Sequence, residues 1–294
     1  VKPDNVTPHP DALFDPAWLA LRSRADSAAR SDDLSRRAHD WLSRRRTPGE
    51  TLQLVDLGTG SGANPRHLAP RLPGPQHWRL IDHDDALLAL ARDACAGLHD
   101  ADGEPVCVDT FGCDLRAPEA MRFGDADLVC ATALFDLVDA HWLNIFAAAC
   151  AQARCAALIT LSVDGEWHFA GCADDADDAF VRNAFNAHQR RNKGSGPALG
   201  ASAVPRLAAL FESHGHAVTL AASPWQLSGR KPWQAALAAA LMDGWRDAAT
   251  EQCPDDAARI AAWHARRQAV LLQVSWSLQV GHLDLFATPP EAVT

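Results

Sequence analysis

The stretch that decides the fold is LQLVDLGTGSGANPRHL, residues 52–68. A short apolar run leads into three glycines spaced two apart, and a helix-forming segment follows. That order reads as strand, tight turn, helix. Gly58, Gly60 and Gly62 admit backbone angles closed to other residues and let a ligand come close to the main chain. Asn64 followed by Pro65 reads as a helix start, with an N-cap side chain and then proline at the first helical position. The amides of such a turn, Thr59 among them, face the crevice at the carboxyl end of the strand, where open α/β sheets hold ligands.

Outward from this stretch, short apolar runs alternate with helical ones, as in a parallel βαβ sheet. Strands are expected near 52–57, 77–82, 105–109, 126–131 and 156–161, with helices near 65–72, 84–98 and 140–153 between them. Residues 11–46 read as helices carrying Trp18, Leu19, Leu21, Leu34, Trp41 and Leu42 as apolar positions. The alternation stops at 163–200, a polar, glycine-bearing segment with no obvious strand, which reads as an insertion over one edge of the sheet. A helix at 202–214, a strand at 216–222, long helices near 232–252 and 255–273 and a last strand, LQVGHLDLFA, complete the pattern.

The chain has 294 residues, 48% hydrophobic and 22% charged, an ordinary soluble balance with length enough for one large domain or two small ones. Its formal charge of −10 brings no general attraction to nucleic acid or anionic lipid, so neither is an expected partner. The one basic run, Arg44 to Arg46, reads as a solvated helix end. Eight cysteines without a C-x-x-C pair, several in apolar runs such as DLVCATAL, read as reduced buried thiols. With no apolar run of membrane-spanning length and no signal peptide ahead of the fold, a cytoplasmic setting is expected. Nothing in the sequence fixes an oligomeric state.

Two ligand classes fit the glycines. Gly58, Gly60 and Ala63 satisfy G-x-G-x-x-G/A, and Asp82 lies 20 residues beyond Gly62, where a dinucleotide's ribose would be met. Asp56 separates the two. It ends the strand two residues before the first glycine, where a carboxylate would repel a pyrophosphate and attract an ammonium group near a sulfonium. S-adenosylmethionine supplies both charges and no phosphate.

VDLGTGSG resembles the first motif of class I S-adenosylmethionine-dependent methyltransferases, and the order of later elements extends the likeness over roughly 50–160 and 202–287. The resemblance implies a Rossmann-like, seven-stranded, mostly parallel α/β sheet with helices on both faces and an antiparallel final strand. It implies an N-terminal helical segment, 1–48, covering the donor site, and a methyltransferase domain, 49–294, with a helical cap insertion at 163–200. By the same likeness Asp82 in RLIDHDDALLALA, with the adjoining His83, meets the ribose hydroxyls. Asp114 and Leu115 in TFGCDL meet the adenine. Thr132, Leu134 and Asp136 in ATALFDLV lie beside the methyl group. Each aspartate also has a plainer reading as a turn or helix cap, and for the helix after Asp82, Asp84 or Asp85 is better placed to cap.

A general base is needed only if the acceptor must lose a proton. Asp136, His141 and Trp142 follow the fourth strand, and Asn186, His188 and Lys193 precede a glycine segment suited to a lid. The plainer reading is a solvated helix end and a packed histidine. Arg22 and Arg30, eight apart with Asp26 between them, share a helix face, fit to pair with the donor's carboxylate, with an acidic substrate, or with surface acids. No metal site is expected: CADDADDAF lacks a calcium loop's glycine and distal glutamate, and His214 and His216 lack partner ligands. There is no Asn/Asp-Pro-Pro-aromatic motif or Pro-Cys nucleophile after the fourth strand, which with the acidic charge leaves a small molecule as the expected acceptor, and the resemblance implies oxygen or nitrogen as the atom methylated. The rivals are aminopropyl transfer on the same fold, a non-catalytic donor-binding module, and an NAD-dependent oxidoreductase.

Overall fold

Along the first strand, β1 (Leu52–Leu57), Leu52 and Leu54 join one hydrophobic core while Val55 and Leu57 join another. Successive side chains leave a strand on opposite faces, so β1 is central and covered on both sides, as parallel strands require. The structure, a computed structural model, describes residues 16–47, 49–192 and 196–291. Two helices, α1 (Pro16–Ala29) and α2 (Asp32–Arg45), precede β1. After it come α3 (Ala63–Leu68), β2 (Gln76–Asp82), α4 (Asp85–Cys95), β3 (Cys107–Gly112), β4 (Leu128–Thr132), α5 (Ala140–Ala153) and β5 (Ala156–Ala170). The second half holds α6 (Asp178–Gln189), α7 (Ala203–Ser213), β6 (Ala217–Ala222), β7 (Trp225–Ser228), α8 (Pro232–Gln252), α9 (Ala257–Leu271) and β8 (Ser277–Thr288).

The strands form one mixed sheet in the order β3-β2-β1-β4-β5-β8-β6. The first five are parallel, and β8 runs antiparallel to both β5 and β6. This is a Rossmann-like α/β architecture with its final strand reversed, as expected. An eighth strand, β7, pairs with the first half of β8 and adds to the seven anticipated.

Three cores hold the layers. Phe135, Trp142, Phe146 and Phe211 from α5, α7 and the β4–α5 turn pack on one face. Leu34, Trp41 and Leu42 from α2 pack with Trp78 and Leu80 on the other. The third core gathers Trp167, Trp225, Trp245, Trp263 and Trp276 between α6, α8, α9 and the outer strands. Helix ends follow local chemistry. The Ser31 hydroxyl accepts the Leu34 N–H at 3.2 Å to start α2, which has Asp32 and Asp33 in its first turn and Arg44 and Arg45 in its last, with Arg46 as its C-cap. Asp84 caps α4, accepting from Ala86 and Leu87, which leaves Asp82 free for other partners.

Besides the eighth strand, three departures from the sequence reading have local causes. Residues 163–170 are not loop but the second half of β5, bent by register shifts between Ile159 and Ser162 and between Val163 and Trp167. Helix α3 starts at Ala63 with Gly62, at φ 76°, as its N-cap, so Asn64 sits inside the first turn and does not cap. Pro65 is tolerated there because first-turn N–H groups have no intrahelical partner. Strand β3 begins at Cys107 rather than 105, since the Val106 N–H turns back to Leu98 O. Among the described residues no helix is long and apolar enough to cross a membrane.

Candidate functional site

The order β3-β2-β1-β4-β5 reverses direction between β1 and β4, and open α/β sheets bind ligands in the crevice at that point. A cavity of about 580 Å³ lies there. The β1–α3 turn supplies Asp56, Gly58, Thr59, Gly60 and Asn64 to its wall; β2 supplies Asp82 and His83; the loop after β3 supplies Asp114 and Leu115; the end of β4 supplies Thr132 and Leu134; and Trp142 closes it from α5. Leu19, Ala20, Arg22, Ser23 and Asp26 of α1 cover it. Gly62 stands behind the cavity, at the start of α3.

The glycines have distinct reasons. Gly58, Gly60 and Gly62 have φ of 61°, 52° and 76°, a region that strains any other side chain. At Gly62 an added Cβ would meet Cys95 Sγ at 3.1 Å and Ala91 Cα and Cβ at 3.2 Å, whereas at Gly60 its nearest neighbour is Leu19 Cδ1 at 3.7 Å. Gly62→Ala is therefore expected to destabilise the fold by about 2 kcal/mol and Gly60→Ala by about 1 kcal/mol, as read by urea unfolding.

Asp56 is almost fully buried, and its carboxylate is tied inward on one side. Asn64 Nδ2 donates to Asp56 Oδ1 at 2.7 Å, and Arg30 Nη1 donates to Asn64 Oδ1 at 2.5 Å. The other oxygen, Oδ2, makes no hydrogen bond of ordinary geometry among the described residues, with the Thr59 side chain its neighbour. Burial pushes the Asp56 carboxyl up to about 6, against the pull of the Asn64 and Thr59 side chains and the Arg30 charge. Burial lowers the Arg30 guanidinium, and Asp26, Asp56 and Asp284 oppose that shift. Arg30 thus stands behind the turn and is not on the cavity wall, while Arg22 is. The shared helix face of Arg22 and Arg30 splits because α1 ends at Ala29.

Asp82 Oδ2 accepts the Gly60 N–H at 2.8 Å and Oδ1 accepts the Asp84 N–H at 3.1 Å, so the carboxylate is fixed at the cavity with lone pairs remaining. Asp114 is held by Arg116 through Nε and Nη2 at 2.7–3.0 Å, which keeps its carboxyl below the ordinary range. Asp114 and Arg116 meet the cavity as an ion pair.

Beyond Ala133 and Leu137 lies a second cavity of about 140 Å³. Arg22, Ala133 and Leu137 line both. Asp136 and Asn186 are on the second wall. His141 is exposed on α5, outside both cavities. His188 is buried, its Nε2 3.0 Å from Glu251, and also lines neither. Lys193 lies outside the described residues. Sequence reasoning missed the second cavity's tryptophans, Trp18, Trp167, Trp225 and Trp245, and also His282. Five distant segments contribute them, and although the helices of Trp18 and Trp245 and the strand of His282 were visible, nothing in the sequence showed that they meet.

Two buried histidines give the fold a pH dependence. Burial lowers His67 to about 3 and His282 to about 4. Below pH ~6.5 the unfolded chain takes up protons that these folded-state rings refuse, so stability falls as the pH drops. Burial lowers a third buried histidine, His216, as well, while it raises Asp56 to about 6 and also raises Asp127, Asp164 and Asp284, which work the other way. The share of His67 and His282 themselves is a loss of stability between pH 7 and pH 5. The His67→Gln/His282→Gln double variant should flatten that slope in urea unfolding.

No family model and no curated protein matches the chain. Among solved structures, a SAM-dependent methyltransferase from Geobacter sulfurreducens in complex with S-adenosyl-L-homocysteine is 15% identical, covering 95% of this chain and 100% of that one at a TM-score of 0.45. An O-methyltransferase family protein from Burkholderia thailandensis is 21% identical over 69% of this chain and 56% of that one, at 0.40. Phosphoethanolamine N-methyltransferase 2 of Haemonchus contortus is 12% identical over 86% of this chain and 52% of that one, at 0.37. The chain thus spans about half the length of the last two. At these identities and TM-scores none of the three bears on function, which rests on the site itself.

Proposed function

We propose that the chain is a class I S-adenosylmethionine-dependent methyltransferase acting on a small molecule, with the donor in the larger cavity and the acceptor in the smaller. One observation carries this reading. The larger cavity is lined by five carboxylates, Asp26, Asp56, Asp82, Asp114 and Asp139, and three guanidinium groups, Arg22, Arg66 and Arg116. Two of the three arginines are already paired, Arg22 with Asp26 at 2.9 Å and Arg116 with Asp114 at 2.7 Å. A diphosphate would find few free cations there and an excess of like charge; a sulfonium with an ammonium group finds the opposite.

The residues present fit that donor. Asp56 Oδ2, buried without a hydrogen bond of ordinary geometry, is the acceptor an ammonium group would satisfy. Arg66 is the cation available to a carboxylate, Asp82 to ribose hydroxyls, and Leu115 with Leu87 to the adenine face. When bound, S-adenosylmethionine supplies a methyl group on a positively charged sulfur, open to displacement by a lone pair. The chain's own part is to align and dry. Helix α1 covers the larger cavity, and Ala133 holds the seam between the two cavities with φ 51°, fixed by its N–H to Thr160 O at 2.9 Å. Alignment of this kind can lower the barrier by about 7–11 kcal/mol at best.

The charge of −10 supports a metabolite over nucleic acid, and four buried thiols support a reducing, cytoplasmic setting. The polar groups on the smaller cavity support methyl transfer to oxygen or nitrogen. The test is incubation with methyl-labelled donor and a metabolite extract, followed by mass analysis. A labelled small molecule is expected; label found only in added RNA, DNA or protein would overturn the small-molecule reading.

A further inference from the structure

The smaller cavity carries more chemistry than its position requires. Its volume of about 140 Å³ is close to the ~150 Å³ of an apolar cavity that accepts benzene, so it suits a single ring. Four indoles line it, Trp18, Trp167, Trp225 and Trp245, and faces of the last three are taken. Trp245 stacks on Trp167 at 4.5 Å and 6°, Arg182 lies over Trp167 at 5.7 Å, and Arg22 lies over Trp225 at 5.1 Å. A cage for a bound ammonium needs several open aromatic faces and no resident cations, and this cavity has neither.

Two hydrogen-bonding atoms on this wall remain unspent. His282 Nδ1 is 3.0 Å from Val280 O and so carries the proton, which leaves Nε2 with a lone pair. Nε2 bonds to nothing among the described residues, and the ring leans on Trp225 at 4.8 Å. Trp167 Nε1–H is a donor with no partner among the described residues, although Trp167 is 3% exposed. One unspent acceptor and one unspent donor, beside polar neighbours that include Asp136, Glu166 and Asn186, suit a neutral molecule of one-ring volume that carries an O–H.

The backbone supports a built site. Ala133 and Leu161 are two of the three non-glycine residues with positive φ among those described, at 51° and 56°, and both line this cavity. The Leu161 N–H is held by Asp284 Oδ1 at 2.7 Å. Strained residues persist where the surroundings over-determine them, and they cluster at working sites.

We infer that the smaller cavity takes an uncharged, single-ring hydroxyaromatic molecule and that His282 Nε2 accepts the proton of the hydroxyl that is methylated. The inference rests on the methyl-transfer reading above. In the step, the hydroxyl oxygen forms a bond to the methyl carbon, and the carbon–sulfur pair stays on sulfur as a neutral thioether. The hydroxyl proton goes to Nε2, making an imidazolium that later gives it to water. Burial keeps the ring neutral beforehand; Arg22 opposes its charging and Asp26 favours it. Asp136 and Glu166 line the same cavity, Glu166 being paired with Arg182 at 3.3 Å.

The test uses the full chain, with S-adenosylhomocysteine added, and follows tryptophan fluorescence on titration with phenol, anisole and tetramethylammonium. Phenol is expected to bind about fivefold more tightly than anisole, which lacks the O–H, one neutral hydrogen bond apart. Trp167→Phe and His282→Gln should each weaken phenol by a similar factor. In turnover of a phenolic acceptor, His282→Gln should lower kcat at least tenfold, with KM raised by no more than the fivefold loss in binding. Equal binding of phenol and anisole, or tighter binding of tetramethylammonium, would overturn the inference. So would loss of turnover in Asp136→Asn alone with His282→Gln active. If S-adenosylhomocysteine binds and phenol does not, this inference falls and the methyl-transfer reading stands. Failure of S-adenosylhomocysteine itself to bind would remove the reading beneath it.

Discussion

Asp82→Ala is expected to lower the affinity for S-adenosylhomocysteine about a hundredfold, measured by calorimetry. The side chain is buried at the carboxyl end of β2, and each of its oxygens already accepts one backbone N–H, from Gly60 and from Asp84. Those bonds fix the carboxylate, so on the proposed reading its remaining lone pairs would meet ribose hydroxyls without further ordering. A hydrogen bond to a charged group is worth about 1.5–3 kcal/mol, and about 2.7 kcal/mol is a hundredfold in affinity. Alanine also releases the Gly60 amide, loosening the turn that carries the donor. Asp82→Asn keeps the shape but not the charge, and should lose about tenfold. A loss below threefold in the alanine variant would mean that the ribose is held elsewhere.

The second large effect is on stability. Asp284→Ala should destabilise the fold by about 3–5 kcal/mol, seen as a lower urea midpoint with an unchanged m-value. Asp284 is fully buried on β8 and accepts from three donors: Leu161 N–H at 2.7 Å, Ser223 Oγ–H at 2.5 Å and Ser31 N–H at 2.9 Å. It therefore ties the bend of β5, the β6–β7 turn and the start of α2 to one carboxylate. Alanine leaves the Leu161 amide buried and unpaired, and each such group costs about 1–3 kcal/mol. It also removes what holds Leu161 at positive φ, beside the smaller cavity. Asp284→Asn, which keeps one acceptor oxygen, should lose roughly half as much.

What was legible in the sequence was what local chemistry determines. The glycine turn, the alternation of β1 to β4 with their helices, and the cap at Asp84 all depend on residues within one or two turns of each other. Asp56, Asp82, Asp114 and Thr132 meet on one cavity because each ends or follows a strand of the same parallel sheet. What stayed hidden depends on distant partners. The second half of β5 alternates Trp167 and Phe169 with exposed residues, but Gly165, at φ 83°, and the register shifts interrupt the period. His188 looked catalytic because nothing nearby in sequence reveals Glu251, 63 positions away and 3.0 Å from it. Asn64 looked like a cap because Arg30, its actual partner, comes from before the first strand. His282 looked like one more residue of an apolar strand until Trp225 and the cavity beside it came into view.

Separate calorimetric titrations of the full chain with S-adenosylhomocysteine and with NAD test the central claim most directly. One equivalent of S-adenosylhomocysteine should bind, in an Asp82-dependent manner, and NAD should give no heat. Tight NAD binding with no response to S-adenosylhomocysteine would place a diphosphate beside Asp56 and contradict the assignment.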